Sequence, residues 1–364
     1  MALSKYRIGQ LIKIVDERNS FDINDFYGIN INKEFMPTVA NTEGLDETNY
    51  KIVRKNRFVF SGMQTGRDKC IRISMYMGNE PIIVSPAYTT FEIVDEYVLP
   101  TYFFMIFLSQ ERDRLGWFYS DGSIRSNLDW DRFCDIQLNI PDLPTQQKYV
   151  DIYNAMVANQ QAYERGLEDL KTVFTSYIEE LRRNDPVFPI GDYITLYNEK
   201  NGDGAIALEQ GININKEFIS PQRSNSNLQG RKIVRHGQFA YCTQLNNANV
   251  AIAYRSGKDC VVSSVYDVFE ITQKDKLIPE YLLMWLIRPE FGRYVYWASE
   301  GSAYEFLNYN NLASYKIPIP NIEVQRAIAE IYTVYNKRKK INEQLKAQIK
   351  NICPILIKGS LEEN

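Results

Sequence analysis

The sequence predicts an α/β (α+β) tandem duplication, in which two globular domains with mixed, curved sheets are joined by two long antiparallel coiled-coil helices. Three observations predict it. The octapeptide GININKEF occurs at residues 28–35 and again at 211–218, an offset of 211 − 28 = 183. Strand-like apolar runs follow each copy in the same order. Each half then ends in a stretch whose apolar residues step by threes and fours, the signature of a helical seam.

A repeat has to be recognised before any element is assigned, because missing it misassigns the whole fold. Around the octapeptide, Glu17-Arg18-Asn19 corresponds to Glu199-Lys200-Asn201, and Lys51-Ile52-Val53-Arg54 to Lys232-Ile233-Val234-Arg235. Further on, Val84-Ser85 matches Val262-Ser263, Gly122-Ser123 matches Gly301-Ser302, and Gln146 matches Gln325. A period this long excludes solenoids and propellers, whose units run to roughly 20–50 residues, and fits duplication of a whole domain.

Within the first half, strands are expected at residues 57–60, 71–76, 81–84 and 91–94, and one apolar helix at 100–115. The second half repeats them at 238–241, 250–254, 261–265 and 269–272, with a helix at 279–291. Residues 144–183 read as one helix, with Tyr153, Met156, Gln160, Tyr163, Leu167, Leu170, Phe174, Tyr177 and Leu181 on its seam. Its length is about 55 Å at about 1.5 Å per residue. The counterpart runs from Glu323 to about Ile352, with Ile331, Val334, Ile341, Leu345 and Ile352 on the seam, Arg338 and Gln348 weakening it, and Pro354 ending it.

Composition excludes several classes of function. The chain has 364 residues, 45% of them hydrophobic and 24% charged, which is globular material with length for two cores. The longest apolar stretch falls far short of a membrane span and the N-terminus lacks a signal-peptide core, so a cytoplasmic protein without membrane association is expected. Five cysteines form no CxxC pair and read as small buried hydrophobes. A single histidine, His236, in a turn before a strand, gives no HExxH zinc site and little material for a Ser-His-Asp relay, so no metal or catalytic residue is assigned. Neither GxGxxG after a strand nor GxxxxGK[ST] is present. The balance favours a binding protein over an enzyme.

Two loops per half suit polar recognition. Gln64, Thr65, Arg67 and Lys69, with Thr243, Gln244, Asn246, Asn247 and Asn249 in the second half, carry groups that pair with guanine and adenine edges. Ser123 and Arg125, matched by Ser302 and Tyr304, lie in a second loop whose conserved Gly-Ser points to a turn, with phosphate contact through backbone N–H groups. Taken alone, each loop also reads as an ordinary polar turn. The net charge of −3 argues against a self-sufficient DNA-binding domain unless basic surface is local or a partner supplies phosphate contacts. The run Lys337-Arg338-Lys339-Lys340 reads first as solvated helix surface. GININKEF, identical in both halves, reads as scaffold.

Gly122-Ser123 followed by Leu128-Asp129-Trp130, Ile136, Leu138, Ile140-Pro141, Leu143-Pro144 and Gln146, then a long helix, resembles the specificity subunit of type I restriction-modification enzymes. Gly301-Ser302, Leu307-Asn308, Ile317-Pro318-Ile319-Pro320 and Gln325 resemble it again, with Glu323 departing from Pro144 at the second helix start. The shared Pro-x-x-x-x-Gln is weak alone and more specific for occurring twice.

The resemblance implies a target-recognition domain at 1–143, a spacer helix at 144–184, a second recognition domain at 185–321 and a second spacer at 322–358. It further implies a non-catalytic subunit that reads a bipartite, asymmetric site in double-stranded DNA. Two methyltransferase subunits would dock on the helices, with Tyr153, Leu167, Leu170, Phe174, Ile341 and Leu345 as candidate contacts. S-adenosylmethionine, and ATP with Mg, would belong to the methyltransferase and the restriction/translocase subunits, and no cofactor to this chain. Two readings stand beside it: a tandem module for peptides or glycans, motivated by the 13% aromatic content, and an enzyme of unrecognised class.

Overall fold

The computed structural model describes residues 3–20, 23–38, 44, 46–94, 96–213, 215–221, 227–245, 250–299 and 306–363. The chain divides into two compact units, one of residues 1–163 with 341–364 and the other of residues 164–340.

In the first unit, Ile12–Ile14, Thr89–Ile93, Phe58–Ser61 and Arg72–Met75 form an antiparallel sheet in that order. A second, mixed sheet orders Phe35–Pro37, Phe26–Ile29, Ile82–Val84 and Lys51–Val53, with a parallel pair between Phe26–Ile29 and Ile82–Val84. Phe58 faces Phe91 in register and their rings stack at 5.1 Å, with Phe103 edge-on at 5.4 Å. Ser4–Arg7 pairs with Gln137–Ile140 and closes the unit beside the long helix.

The second unit repeats the plan. Ile194–Tyr197, Tyr266–Ile271, Phe239–Cys242 and Ile252–Tyr254 form the antiparallel sheet, and Phe239 stacks on its register partner Phe269 at 4.9 Å. Val187–Pro189 pairs with Lys316–Pro318 as Ser4–Arg7 does with Gln137–Ile140. The parallel contact of the mixed sheet survives as one bridge, Glu209 to Val261.

The expected single apolar helix is two helices in each unit. Pro100–Phe107 gives way to Gln110–Tyr119 because Ser109 turns extended and caps the backbone N–H of Arg112. Pro279–Leu286 gives way to Pro289–Ala298, where Pro289 opens the new helix at a position whose N–H would be unbonded anyway.

The octapeptide is scaffold in both units. Lys33 and Lys216 adopt left-handed backbone conformations, with φ of 65° and 62°. The Nζ of Lys33 donates to the carbonyl oxygen of Phe107 at 2.5 Å and to Asp113 at 2.6 Å, and that of Lys216 donates to the carbonyl oxygen of Leu286 at 2.7 Å. Each lysine therefore caps the last carbonyl of the apolar helix, where a cation meets the negative end of the dipole. Lys216 lacks an acidic partner among the described residues, and burial pushes its pKa down to about 8.

The first long helix runs Leu143–Asn184 and the second Ile322–Glu362. Within the first unit, Gly359 lies against the ring of Tyr149 and Gln160 hydrogen-bonds Asn342, so the two helices run antiparallel there. Within the second unit Phe174 packs on Tyr332 at 5.2 Å and Gly166 faces Arg338, again antiparallel.

Three expectations about these helices are corrected. Tyr177 is 47% exposed and Ile178 fully buried, because the seam advances by four twice in succession after Leu170. Val334 is exposed and Tyr332 is packed against the core; Gln348 is exposed and Ile349 half-buried. Pro354 does not end the second helix. Cys353, just before it, and Leu356 and Ser360, beyond it, are buried at helical spacing, with Ser360 bonded to the Tyr102 hydroxyl at 2.6 Å. These tertiary contacts outweigh the one backbone bond that proline forfeits.

Candidate nucleic-acid interface

In the first unit both candidate loops meet. The N–H of Gln64 donates to the Asn127 side chain at 3.0 Å, that of Gly66 to the carbonyl of Ser126 at 2.9 Å, and that of Leu128 to the carbonyl of Gly62 at 2.8 Å. The contact is close enough that a Cβ on Gly66 would lie 1.8 Å from Ser126 Oγ, so only glycine fits. Residues 65–68 form one helical turn between left-handed Gln64 and Lys69, an arrangement that leaves Arg67 and Lys69 exposed. Arg125 is exposed on the second loop beside Ile124, which is fully solvated.

Two of the predicted residues do not fit their expected roles. Thr65 is completely buried and its hydroxyl donates to the carbonyl of Gly62 at 3.0 Å, so it serves the turn and cannot reach a base. Ser123 is exposed, but its N–H and hydroxyl are both bound by Asp121, at 3.0 and 2.6 Å. Asp121 also accepts from the N–H of Asn127 at 3.0 Å, and these donors, led by the Ser123 hydroxyl, hold its carboxyl below the usual range. The expected phosphate-binding amides are thus occupied by a carboxylate that belongs to the turn.

Several cations are grouped here. Asp68 is paired with Arg72 and Asp113 with Lys33, while Arg67, Arg114 and Arg125 have no ion-pair partner among the described residues. Lys69 lies 4.6 Å from the ring centre of Trp117, on the neighbouring helix. Arg112 and Arg114 line a shallow depression with Glu111, Leu115 and Trp117, and desolvation lowers the pKa of Arg112.

In the second unit, Thr243 donates through both N–H and hydroxyl to the carbonyl of Val265 at 3.0 Å, so its side chain is committed to the hairpin. Gln244 is exposed and bridges Phe306, and the N–H of Leu307 donates to Thr243 as that of Leu128 does to Gly62. Asn246, Asn247, Asn249, Ser302 and Tyr304 lie outside the described residues. His236 occupies an exposed turn, its N–H on Asp259 at 2.9 Å. Cys70, Cys260 and Cys353 are buried, and all five cysteines are free. No group of His, Cys, Asp and Glu that could hold a metal ion occurs among the described residues.

Residues 180–351 match the family model of the type I restriction modification DNA specificity domain. These residues make up a little under half of the chain, and over them it is similar to that specificity domain. The resemblance read from the sequence is thereby supported in the half where Gly301-Ser302 and Gln325 had carried it. The HindI specificity subunit of Haemophilus influenzae is 25% identical over 160 residues, which cover 41% of this chain and 34% of that protein; the match spans about a third of the relative's length. The S subunit of a type I restriction-modification system from M. genitalium has the same fold, with a TM-score of 0.61 and 10% identity over 99% of this chain and 96% of that one. An HsdS subunit from Thermoanaerobacter tengcongensis aligns with a TM-score of 0.41 and 14% identity over 99% of this chain and 96% of that one.

The helix residues expected to dock partners of a specificity chain are largely spent on its own packing. Leu167 is buried, Phe174 packs on Tyr332, and Tyr153 lies against the first core, where burial raises its hydroxyl pKa. Leu170, Ile341 and Leu345 are half-buried. The apolar side chains that the helices leave in solvent are others: Ile152, Val173, Tyr177, Val334 and Ile355.

The fold also exposes aromatic residues that loop composition did not flag. Trp117 and Phe118 end one ten-residue helix, and Tyr296 and Trp297 end its counterpart in the second unit. The spacing 296 − 117 = 179 equals that of the matched glycines, 301 − 122 = 179, and was a usable signal in the sequence.

Proposed function

We propose that the chain is the non-catalytic DNA sequence-recognition subunit of a type I restriction-modification complex. The observation that carries this is the repetition of one recognition unit, loop pair included, in a chain whose second half matches the specificity domain. Each unit would read one half of a bipartite, asymmetric site in double-stranded DNA about one helical turn, roughly 34 Å, from the other. In the functional division residues 1–143 and 185–321 are the recognition domains, and 144–184 and 322–358 the spacers.

Adenine methylation, with S-adenosylmethionine, falls to two methyltransferase subunits, and ATP- and Mg-dependent translocation and cleavage to restriction subunits. Among the described residues no helix is long and apolar enough to cross a membrane, and a complex that works on DNA would act in the cytoplasm. The exposed Arg67, Lys69, Arg125 and Gln244 are the residues we assign to DNA. Partner subunits supply further phosphate contacts to a chain of net charge −3.

Co-expression of the chain with its neighbouring methyltransferase in a host lacking such systems, followed by genome-wide mapping of methylated adenines, tests this. A new bipartite motif is expected. A soluble, assembled complex that adds no methylation would overturn it.

A further inference from the structure

Phe118 is 78% exposed and Trp297 79%, and their neighbours Trp117 and Tyr296 are 48% and 59% exposed. Large apolar rings in water forgo a substantial burial energy, and a cluster of them on a soluble surface marks a contact site. Here the cluster recurs at the same place in two units whose loops have diverged, at the C-terminal end of the helix that leads into the second recognition loop. A side chain exposed in both copies of a duplicated fold serves something common to both.

The surroundings in the first unit identify the occupant. Trp117 carries the Lys69 ammonium over its ring, shares a depression with Arg112 and Arg114, and neighbours the loop of Ile124 and Arg125. Of the nearby carboxylates, Asp68 and Asp113 are paired with Arg72 and Lys33, Asp121 is held as an anion by the turn donors, and Glu111 lines the depression beside the two arginines. Planar rings among guanidinium groups that have no ion-pair partner among the described residues match the alternation of base or sugar faces with phosphates in a nucleic acid.

We infer that Trp117-Phe118 and Tyr296-Trp297 are sequence-independent DNA contacts, one pair per unit, that pack against the bases or sugars beside the nucleotides read by the loops. This rests on the functional reading above and deepens it. The loops supply sequence discrimination, and the rings anchor each unit on any sequence.

The test uses the assembled complex of this chain with its methyltransferase. Anisotropy titrations compare wild type, Phe118→Ala, Trp297→Ala and the conservative Phe118→Tyr on a duplex with the mapped motif and on one lacking it. Each alanine variant is expected to bind both duplexes about tenfold more weakly or worse, with assembly and thermal midpoint unchanged and the tyrosine variant near wild type. Unchanged affinity would overturn the inference. So would an assembly defect with normal DNA affinity once assembled, which would make the rings a protein-docking face. Wild-type complex that shows no preference for its motif would sink the functional reading itself, an outcome distinguishable from failure of the alanine variants alone.

Discussion

The side-chain oxygen of Gln146 accepts the N–H of Leu99 at 2.9 Å, so that a residue in the first turn of one long helix caps the start of the apolar helix Pro100–Phe107. Its amide nitrogen donates to the carbonyls of Tyr97 and Pro141 at 3.0 and 2.8 Å. Gln325 does the same for Ile278, Lys276 and Pro320, at 3.1, 2.6 and 2.8 Å. Both glutamines are completely buried. The Pro-x-x-x-x-Gln motif is therefore a joint between globular domain and helix, with the proline carbonyl as one of its acceptors.

Replacing either glutamine by leucine strands a backbone N–H and two carbonyls. Each substitution is expected to destabilise its own unit by about 3 kcal/mol or more, at roughly 1–3 kcal/mol per orphaned group. Urea unfolding checks this, and equal midpoints for wild type and Gln146→Leu would show that the joint is ornamental.

The two octapeptide lysines respond differently to replacement by methionine. Lys33→Met breaks a buried pair and leaves Asp113 without its cation, a loss of about 3–5 kcal/mol. Lys216→Met removes an ammonium that pairs with no carboxylate among the described residues, and costs less.

Lys216 also gives stability a pH dependence. Below about pH 8 its amine is charged in both folded and unfolded chains and the burial cost is fully present. From there to about pH 10.4, the ordinary lysine value, the folded chain releases a proton that the unfolded chain keeps, so stability rises with pH. The stability difference between wild type and Lys216→Met should move in favour of wild type across this window. A flat difference would refute the lowered pKa.

Gly66→Ala drives a Cβ into Ser126 and should separate the two loops of the first unit, at a cost of about 1–3 kcal/mol. Ser126 itself sits at φ 51°, so Ser126→Gly both removes the obstruction and suits the backbone. The double variant should regain most of the lost thermal midpoint; if it does not, the loop contact is not the cause.

Gln160 and Asn342, both buried, form the polar pair of the antiparallel seam, with 3.0 Å between Nε2 and Oδ1. Asn342→Leu alone should destabilise by about 1–3 kcal/mol, because it leaves a buried amide short of a partner. Gln160→Leu with Asn342→Leu should cost less in thermal unfolding than the sum of the two single variants, the mark of a direct pair.

The sequence made the scaffold legible because duplication displays it twice: Asn201 repeats the buried Asn19, Phe239 the stacked Phe58, and Gln325 the clamp of Gln146. The helix seam was readable as far as Phe174, where strict alternation chose Tyr177 and the true helical period chose Ile178. Pro354 misled because a local rule was overridden by contacts of Cys353 and Ser360 distant in sequence. The site was the least legible part. Residue type singled out Thr65 and Ser123 correctly as polar, but only geometry shows that their hydroxyls are consumed within the turns, and that the exposed ring of Trp117, not named by any motif, lies against the ammonium of Lys69.

The central claim is that each unit reads its own half of one DNA site. Exchange of residues 185–321 for those of a homologous chain, co-expression with the same methyltransferase and mapping of methylated adenines test it most directly. The expected result is a bipartite motif in which one half changes and the other half and its methylated adenine persist. A motif unchanged throughout, or altered in both halves, would contradict it.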